Sequence, residues 1–123
     1  MMRFLLAIGA MTSAAAGLAA TPPNTFSDRL RALPELQQRA AMRAAVNDNG
    51  QRCGRVEAGG MVGPYRNLVM WNVRCAPGGD FGLFIGPDGT VQVRSCEDLA
   101  KLKLPTCRLP AAKPVAPRKP ERR

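Results

Sequence analysis

Four cysteines constrain the fold of this chain more than any other feature of its sequence. They are Cys53, Cys75, Cys96 and Cys107, and all follow an N-terminal segment with the composition of an export signal. The region between that segment and the C-terminal tail, residues 21–107, is small enough that a hydrophobic core alone gives a thin margin of stability. We therefore expect the cysteines to form structural disulfides in an oxidising compartment.

Residues 1–20 are predicted to be a signal peptide. A single charge at Arg3 precedes an apolar run that starts at Phe4 and continues into sequence rich in Ala and Gly. A charged start, a hydrophobic centre and a small-residue exit are typical of secretory signals, and cleavage is expected after Ala19 or Ala20. The alternative is an uncleaved membrane anchor, because the stretch is just long enough to cross a bilayer. We predict a periplasmic or secreted protein with no transmembrane span after cleavage.

The positive charge of the chain is concentrated at its C-terminus. The formal net charge is +9, and residues 108–123 contribute +5 of it. Four prolines and almost no large apolar side chains from Leu109 onward predict a disordered, basic, Pro-rich tail. Such a tail either binds an anionic polymer or only keeps the chain in solution, and both interpretations stay open.

Residues 21–107 are predicted to form one α+β domain. It comprises a small antiparallel β-meander of three to four strands packed against an N-terminal helix, with a short C-terminal helix capped by Ser95 and ended by Pro105. The N-terminal helix is expected to begin near Pro34 and to end near Asn49, where Gly50 supplies a left-handed stop. Its apolar stripe, on the side away from Met42 and Val46, is expected to face the sheet. The stripe consists of Leu33, Leu36, Ala40 and Ala44.

Alternation of apolar and polar residues predicts the strands. Three are expected over 68–75, 81–85 and around 91–93, with residues 76–80 as a turn and a further strand between Cys53 and Met61. The sequence Pro87-Asp88-Gly89 fits a three-residue hairpin loop, which pairs Ile85 with Val91. Eight apolar residues are expected on the inner face of the sheet: Val69, Trp71, Val73, Phe81, Leu83, Ile85, Val91 and Val93.

This strand order narrows the three possible cysteine pairings. Cys53 and Cys75 lie side by side at one end of a hairpin. Cys75 and Cys96 are separated by a whole strand, or about 10 Å. A disulfide needs α-carbons within roughly 7 Å of each other. We therefore predict the pairs Cys53–Cys75 and Cys96–Cys107, the second closing the segment that contains the last helix.

The residue types in the chain offer little to catalysis. Histidine, the usual general base and the commonest metal ligand, is absent from the sequence. Disulfide bonding leaves no thiol for redox chemistry or for a metal. The acidic residues between 80 and 98 lie in predicted turns or at the start of a predicted helix, where acids commonly have structural roles. Of the acids considered for catalysis, only Glu57 has no such structural role. We expect no enzymatic activity, no catalytic residue, no cofactor and no metal site.

The outer face of the sheet carries the predicted binding site. Six of its residues are expected to form two neighbouring rows across three strands: Arg74, Gly82 and Arg94 in one row, and Asn72, Phe84 and Gln92 in the next. The two arginines would then stand about 10 Å apart over the glycine. Guanidinium groups supply forked donors for an acidic group or glycan, and Phe84 supplies an apolar surface. The alternative is a face that is solvated or covered by a second helix.

Two functions are compatible with these features. The first is an exported, non-enzymatic binding or interaction protein of the cell envelope, whose partner is an anionic polymer or glycan or another envelope protein. The alternative is an inhibitor-like secreted module that blocks another protein through the turns at 76–80 and 86–89. Nucleic acid is not an expected partner, because export separates the protein from it.

Three segments carry a resemblance to known proteins: Leu68 to Cys75 (LVMWNVRC), Phe84 to Cys96 (FIGPDGTVQVRSC) and Leu104 to Cys107 (LPTC). They resemble small secreted or periplasmic two-disulfide proteins of unknown function from Gram-negative bacteria. The resemblance covers about residues 34–107 and leaves out the basic tail. It implies a two-disulfide domain and assigns no catalytic or binding residue.

Overall fold

A computed structural model of the chain describes residues 23–111. The elements are α1 (Thr25–Ala32), α2 (Glu35–Asp48), β1 (Val56–Tyr65), β2 (Leu68–Cys75), β3 (Gly79–Ile85), β4 (Val91–Ser95) and α3 (Cys96–Lys101). The strands form one antiparallel sheet in the order β1-β2-β3-β4. This confirms the predicted α+β fold class. The predicted signal peptide and the tail beyond residue 111 lie outside the described residues.

The inner face of the sheet forms the main core, as predicted. Trp71, Val73 and Leu83 are almost fully buried, and Phe81 and Ile85 lie beside them. Alternating side chains of a strand point to opposite faces, so one set of apolar residues can be buried together. The apolar residues of the strands therefore lie on the inner face of the sheet, as the period-two alternation predicted.

The hairpin between β3 and β4 has the predicted register. Ile85 lies opposite Val91, and the Gly86 N–H donates to the Thr90 carbonyl at 2.8 Å. Gly89 has a φ of +86°, the left-handed conformation expected of the third loop residue. Asp88 stabilises this loop by accepting hydrogen bonds from the Thr90 hydroxyl at 2.7 Å and the Thr90 N–H at 3.1 Å.

Helix α2 has the predicted length, but it buries the face opposite to the predicted one. Leu36 is 81% exposed, and the other residues of the predicted stripe within the helix are exposed too. Met42 and Val46 are buried instead. The reason is the room above Gly59: the Met42 methyl carbon lies 3.1 Å from the position that a β-carbon of Gly59 would take. A flexible methionine fills such a gap better than an alanine does.

Helix α1 was not predicted from the sequence. Its one fully buried residue is Ser27, and its apolar stripe is short: it consists of Phe26, which is 44% exposed, and Leu30, which is partly buried against the main core. Polar contacts hold it in place: Asn24 caps it by accepting from the Ser27 N–H at 3.0 Å and donates to the Ile85 carbonyl at 2.7 Å. The buried Trp71 Nε1 donates to the Ser27 hydroxyl at 2.9 Å. Thus α1 provides the hydrogen-bond partner that a buried tryptophan requires.

The register between β2 and β3 differs from the predicted one by two residues. Arg74 lies opposite Asp80, and Asn72 lies opposite Gly82. The predicted row of Arg74, Gly82 and Arg94 is therefore wrong. The turn uses only residues 76–78, because Gly78 and Gly79 have positive φ and reverse the chain early. A shift of two residues keeps every side chain on its predicted face.

The outer face is covered by α3 and by the strap, the segment of residues 102–110 that follows it. Leu99 of α3 is fully buried, and its Cδ1 lies 2.7 Å from the position that a β-carbon of Gly82 would take. Met70 and Phe84 complete this second core, against which Leu104 and Cys107 of the strap pack. Of the two alternatives to an open binding face, coverage by a second helix is the one observed.

Both predicted disulfides are present. The α-carbons are 5.0 Å apart in Cys53–Cys75 and 5.7 Å apart in Cys96–Cys107. The first bond joins the segment before β1 to the end of β2, and the second ties the strap to the start of α3. Two structural disulfides fit an oxidising compartment. Within residues 23–111, no helix has both the length and the apolar character needed to cross a membrane.

Truncating Leu99 tests the second core. We expect Leu99→Ala to lower the free energy of unfolding by about 2–5 kcal/mol, because it leaves a cavity over Gly82. The control is Leu102→Ala, since Leu102 is 53% exposed at the end of the same helix and its truncation should change stability by no more than about 0.5 kcal/mol. Urea unfolding monitored by circular dichroism measures both, and equal effects would contradict the packing described.

The Asp88 hydrogen bonds predict a titration effect. The Thr90 hydroxyl, followed by the Thr90 N–H, lowers the pKa of the Asp88 carboxyl below its ordinary value. The resulting stabilisation is complete above the ordinary aspartate pKa and is lost as pH falls through the lowered, folded-state pKa. In Thr90→Val the Asp88 pKa should rise, whereas Thr90→Ser should keep it low. Carboxyl-detected NMR titration makes the measurement, and identical curves for valine and wild type would refute the assignment.

Candidate binding site

The structure separates the five predicted binding residues. Arg94 and Gln92 are exposed on β4. Asn72 and Phe84 are each only 3% exposed, and the Arg74 side chain is 15% exposed. The five do not form the open two-row surface that the predicted register implied. Ligand binding through Arg94 and Gln92 stays a prediction.

Arg74 joins two strands to the strap. Its Nε and Nη2 donate to the two carboxylate oxygens of Asp80, each at 2.9 Å. Its Nη1 donates to the Pro110 carbonyl at 2.6 Å. The hydrogen bond with Asp80 raises the pKa of the Arg74 guanidinium above its ordinary value, so the group stays charged. A forked ion pair of this kind fixes geometry as well as charge, and it makes Arg74 the anchor of the strap.

The anchored strap forms one wall of a cleft at the edge of the sheet. The cleft has a volume of about 380 Å³ and lies between the end of the strap and β1. Residues 57–62 line it from β1 and residues 108–110 line it from the strap, with Arg39 and Asn72 completing the wall. The bond from Arg74 to the Pro110 carbonyl holds the end of this wall beside the first two strands.

Small residues of β1 leave the space open. Ala58 lies opposite Arg74 and Gly60 lies opposite Asn72, so both face the outer side of the sheet. A β-carbon on Gly60 would meet no atom of the described residues within 4 Å. Gly59 differs, because a β-carbon there would lie 2.8 Å from the Asn72 carbonyl oxygen. Gly60 thus opens the cleft, whereas Gly59 is needed for strand packing.

Asn72 places an unpaired polar group in the cleft wall. Its Nδ2 is buried and has no hydrogen-bond partner in the part of the chain that the structure describes. Leaving a buried donor unpaired costs about 1–3 kcal/mol, and most buried polar groups have a partner. An acceptor bound in the cleft would supply one.

The charged residues around the cleft favour an acidic ligand. Arg108 makes no ion pair within residues 23–111. Arg39 donates to Glu35 at 2.7 Å and to the Val56 carbonyl at 3.3 Å. The one acid in the lining, Glu57, is paired with Arg55 at 3.1 Å. The lining therefore includes Arg108, which has no acidic partner among the described residues, and no unpaired carboxylate.

A second cleft, of about 560 Å³, lies beside the β2–β3 turn and the start of α3. It contains the Arg74–Asp80 ion pair together with Glu57 and Glu97. In residues 23–111 no group of three histidine, cysteine or acidic side chains is placed to hold a metal ion. The arginine there is already paired, so this cleft offers less to a ligand than the first.

The two turns considered for an inhibitor are packed against the domain. In the first, the Pro77 and Ala76 carbonyls accept from the N–H groups of residues 54 and 55 at 3.0 and 3.1 Å. In the second, Gly89 lies beneath the Phe26 ring, whose nearest atom is 2.7 Å from the position of a glycine β-carbon. Neither turn projects as an independent loop.

No protein-family model matches this chain, and neither a curated protein nor a solved structure shows significant similarity to it. A functional assignment must therefore come from the residues themselves.

Sequence reasoning found part of the cleft. Asn72 was among the predicted binding residues, but Gly60, Ala58, Arg39 and Arg108 were not. One usable signal was present: β1 contains a run of three small residues, 58–60, two of which lie on the face where the neighbouring strand carries polar side chains. The strap had no such signal, because its position depends on a contact between residues 36 apart in sequence.

Replacing the Arg74 guanidinium with a lysine ammonium group tests whether Arg74 anchors the strap. Lysine keeps the charge but has no planar fork to hold Asp80 and Pro110 together. In Arg74→Lys, the heteronuclear NOE of the Leu109 and Ala111 amides should fall as the strap end is released. Arg94→Lys serves as the control and should leave these NOE values unchanged. Equal values in wild type and Arg74→Lys would exclude Arg74 as the anchor.

Proposed function

We propose that this chain is a small, exported, non-enzymatic binding protein of the cell envelope that holds anionic polymers through its basic C-terminal segment. The observation that carries the proposal is the anchor between Arg74 and Pro110. It fixes where the basic segment leaves the domain, next to Arg108 and near the Arg39 side of β1.

The charge distribution supports a polyanion as the ligand. Residues 23–111 carry twelve Lys and Arg against eight Asp and Glu, and residues 112–123 add five cations and one acid. The cations of the tail therefore continue directly from Arg108. Clustered charge of one sign raises the local concentration of an oppositely charged polymer and speeds its association.

Export and the lack of catalytic groups complete the proposal. The signal-like start at residues 1–20 and the two disulfides both favour a periplasmic or secreted protein. A chain without histidine and without free cysteine has few groups suited to general base or nucleophilic catalysis. The inhibitor-like alternative is less well supported, because its two turns are packed against the domain.

Binding to purified lipopolysaccharide tests this function. Replacing the five cations Lys113, Arg118, Lys119, Arg122 and Arg123 with glutamine should weaken binding by tenfold or more, since each cation near an anionic surface contributes about 1 kcal/mol. Binding by the wild type should also fall steeply as salt rises. Isothermal titration calorimetry measures both effects.

The matched control is a chain with the same tail residues in scrambled order. Charge attraction predicts that scrambling preserves affinity. An apolar partner surface would instead give salt-independent binding that survives the glutamine substitutions, and that result would reject the proposal.

A further inference from the structure

We infer that the cleft between β1 and the strap is a second, separate binding site, which takes an extended peptide carrying a carboxylate. This goes beyond the proposed function, because that function uses the charges of the tail and needs no cleft.

The first support is the contrast between two glycines in one row of the sheet. Gly60, Asn72 and Gly82 lie side by side on β1, β2 and β3, with their open sides on the same face. Leu99 fills the space over Gly82, whereas no atom of the described residues fills the space over Gly60. Asn72 stands between the filled position and the open one in this row, and its buried Nδ2 has no partner among the described residues. The same row thus combines an empty space with a donor that lacks an acceptor.

The second support is the shape of the cleft. It is bounded along its length by two extended segments, residues 57–62 of β1 and residues 108–110 of the strap. β1 is an edge strand, with β2 as its one neighbour in the sheet. Gly59 and Gly60 leave its backbone accessible at the centre of the cleft. Edge strands bind extended peptides by main-chain hydrogen bonds, and side-chain pockets beside them provide specificity.

The third support is charge. Arg108 lines the cleft without an acidic partner among the described residues, and the one acid of the lining, Glu57, forms an exposed ion pair with Arg55. A carboxylate accepts hydrogen bonds from both amide and guanidinium groups, and such bonds are stronger than those to a neutral carbonyl. The acid can be the C-terminus of the peptide or an aspartate side chain, and the experiment distinguishes these two sources.

The experiment titrates three peptides into the ¹⁵N-labelled chain and follows its amide resonances. The probes are acetyl-Ala-Ala-Ala with a free carboxylate, acetyl-Ala-Asp-Ala-amide, and acetyl-Ala-Ala-Ala-amide as the uncharged reference. At least one acidic peptide should shift the Gly60 amide and the Asn72 side-chain NH₂ resonances and bind about tenfold more tightly than the reference. Equal affinity for all three, or shifts confined to other residues, would overturn the inference.

Two variants separate binding from folding. Gly60→Val fills the cleft, and valine is well suited to a strand, so we expect binding about tenfold weaker with stability retained. Asn72→Leu removes the unpaired amide but keeps the number and branching of the side-chain heavy atoms, so binding should fall by about tenfold while the urea midpoint stays equal or rises. Ala44→Val, on the exposed face of α2, is the control and should bind as the wild type does. Wild-type affinity in both cleft variants would refute the site.

A chain ending at Ala111 distinguishes this site from the proposed function. It should bind the acidic peptide with unchanged affinity, while its binding to lipopolysaccharide falls. Loss of peptide binding on truncation would mean that the tail, rather than the cleft, attracts the carboxylate, and would overturn the inference. If truncation leaves both lipopolysaccharide binding and peptide binding unchanged, the proposed function is rejected and the cleft is still supported.

Discussion

The burial of both faces of one small sheet is the constraint on which the rest of this structure depends. Helices α1 and α2 cover the inner face, whereas the outer face has only the six residues of α3 and the strap. An isolated helix of that length is not stable in water. The cover holds because Leu99 fits over Gly82 and because Cys96–Cys107 closes the segment on itself. Disulfides thus contribute what a small core cannot.

Local patterns predicted the features that depend on neighbouring residues. Alternation gave the strand faces, the Pro87-Asp88-Gly89 loop gave the β3–β4 register, and the strand order gave both disulfides. The β2–β3 register was beyond reach because residues 76–80 all favour a turn. A loop of three residues and a loop of five both keep the same faces. The hydrophobic pattern is identical in the two registers, so it cannot choose between them.

Features that depend on long-range packing were not predictable in the same way. Helix α2 has apolar residues on two sides, and the choice between them depends on the gap above Gly59, which another element supplies. The candidate cleft depends on the strap, which is held by the Cys96–Cys107 disulfide, by the packing of Leu104 and by the bond from Arg74 to Pro110. No property of residues 108–110 in isolation indicates that this short segment lies beside β1. The cleft therefore had to be found in the structure, although Asn72 was visible in the sequence.

The unpaired amide of Asn72 is costly for a domain of this size. In a domain whose stability is only about 0.05–0.15 kcal/mol per residue, a buried donor without a partner takes a notable share of the total. Trp71, one residue earlier in the same strand, has its Nε1 paired with the buried Ser27 of α1. The fold thus provides a dedicated partner for the polar atom of the inner face and none for that of the outer face. Asn72, which carries the unpaired atom, lies opposite Gly60 and lines the same cleft, and a donor without a partner beside an open cleft is an arrangement that a ligand acceptor can complete.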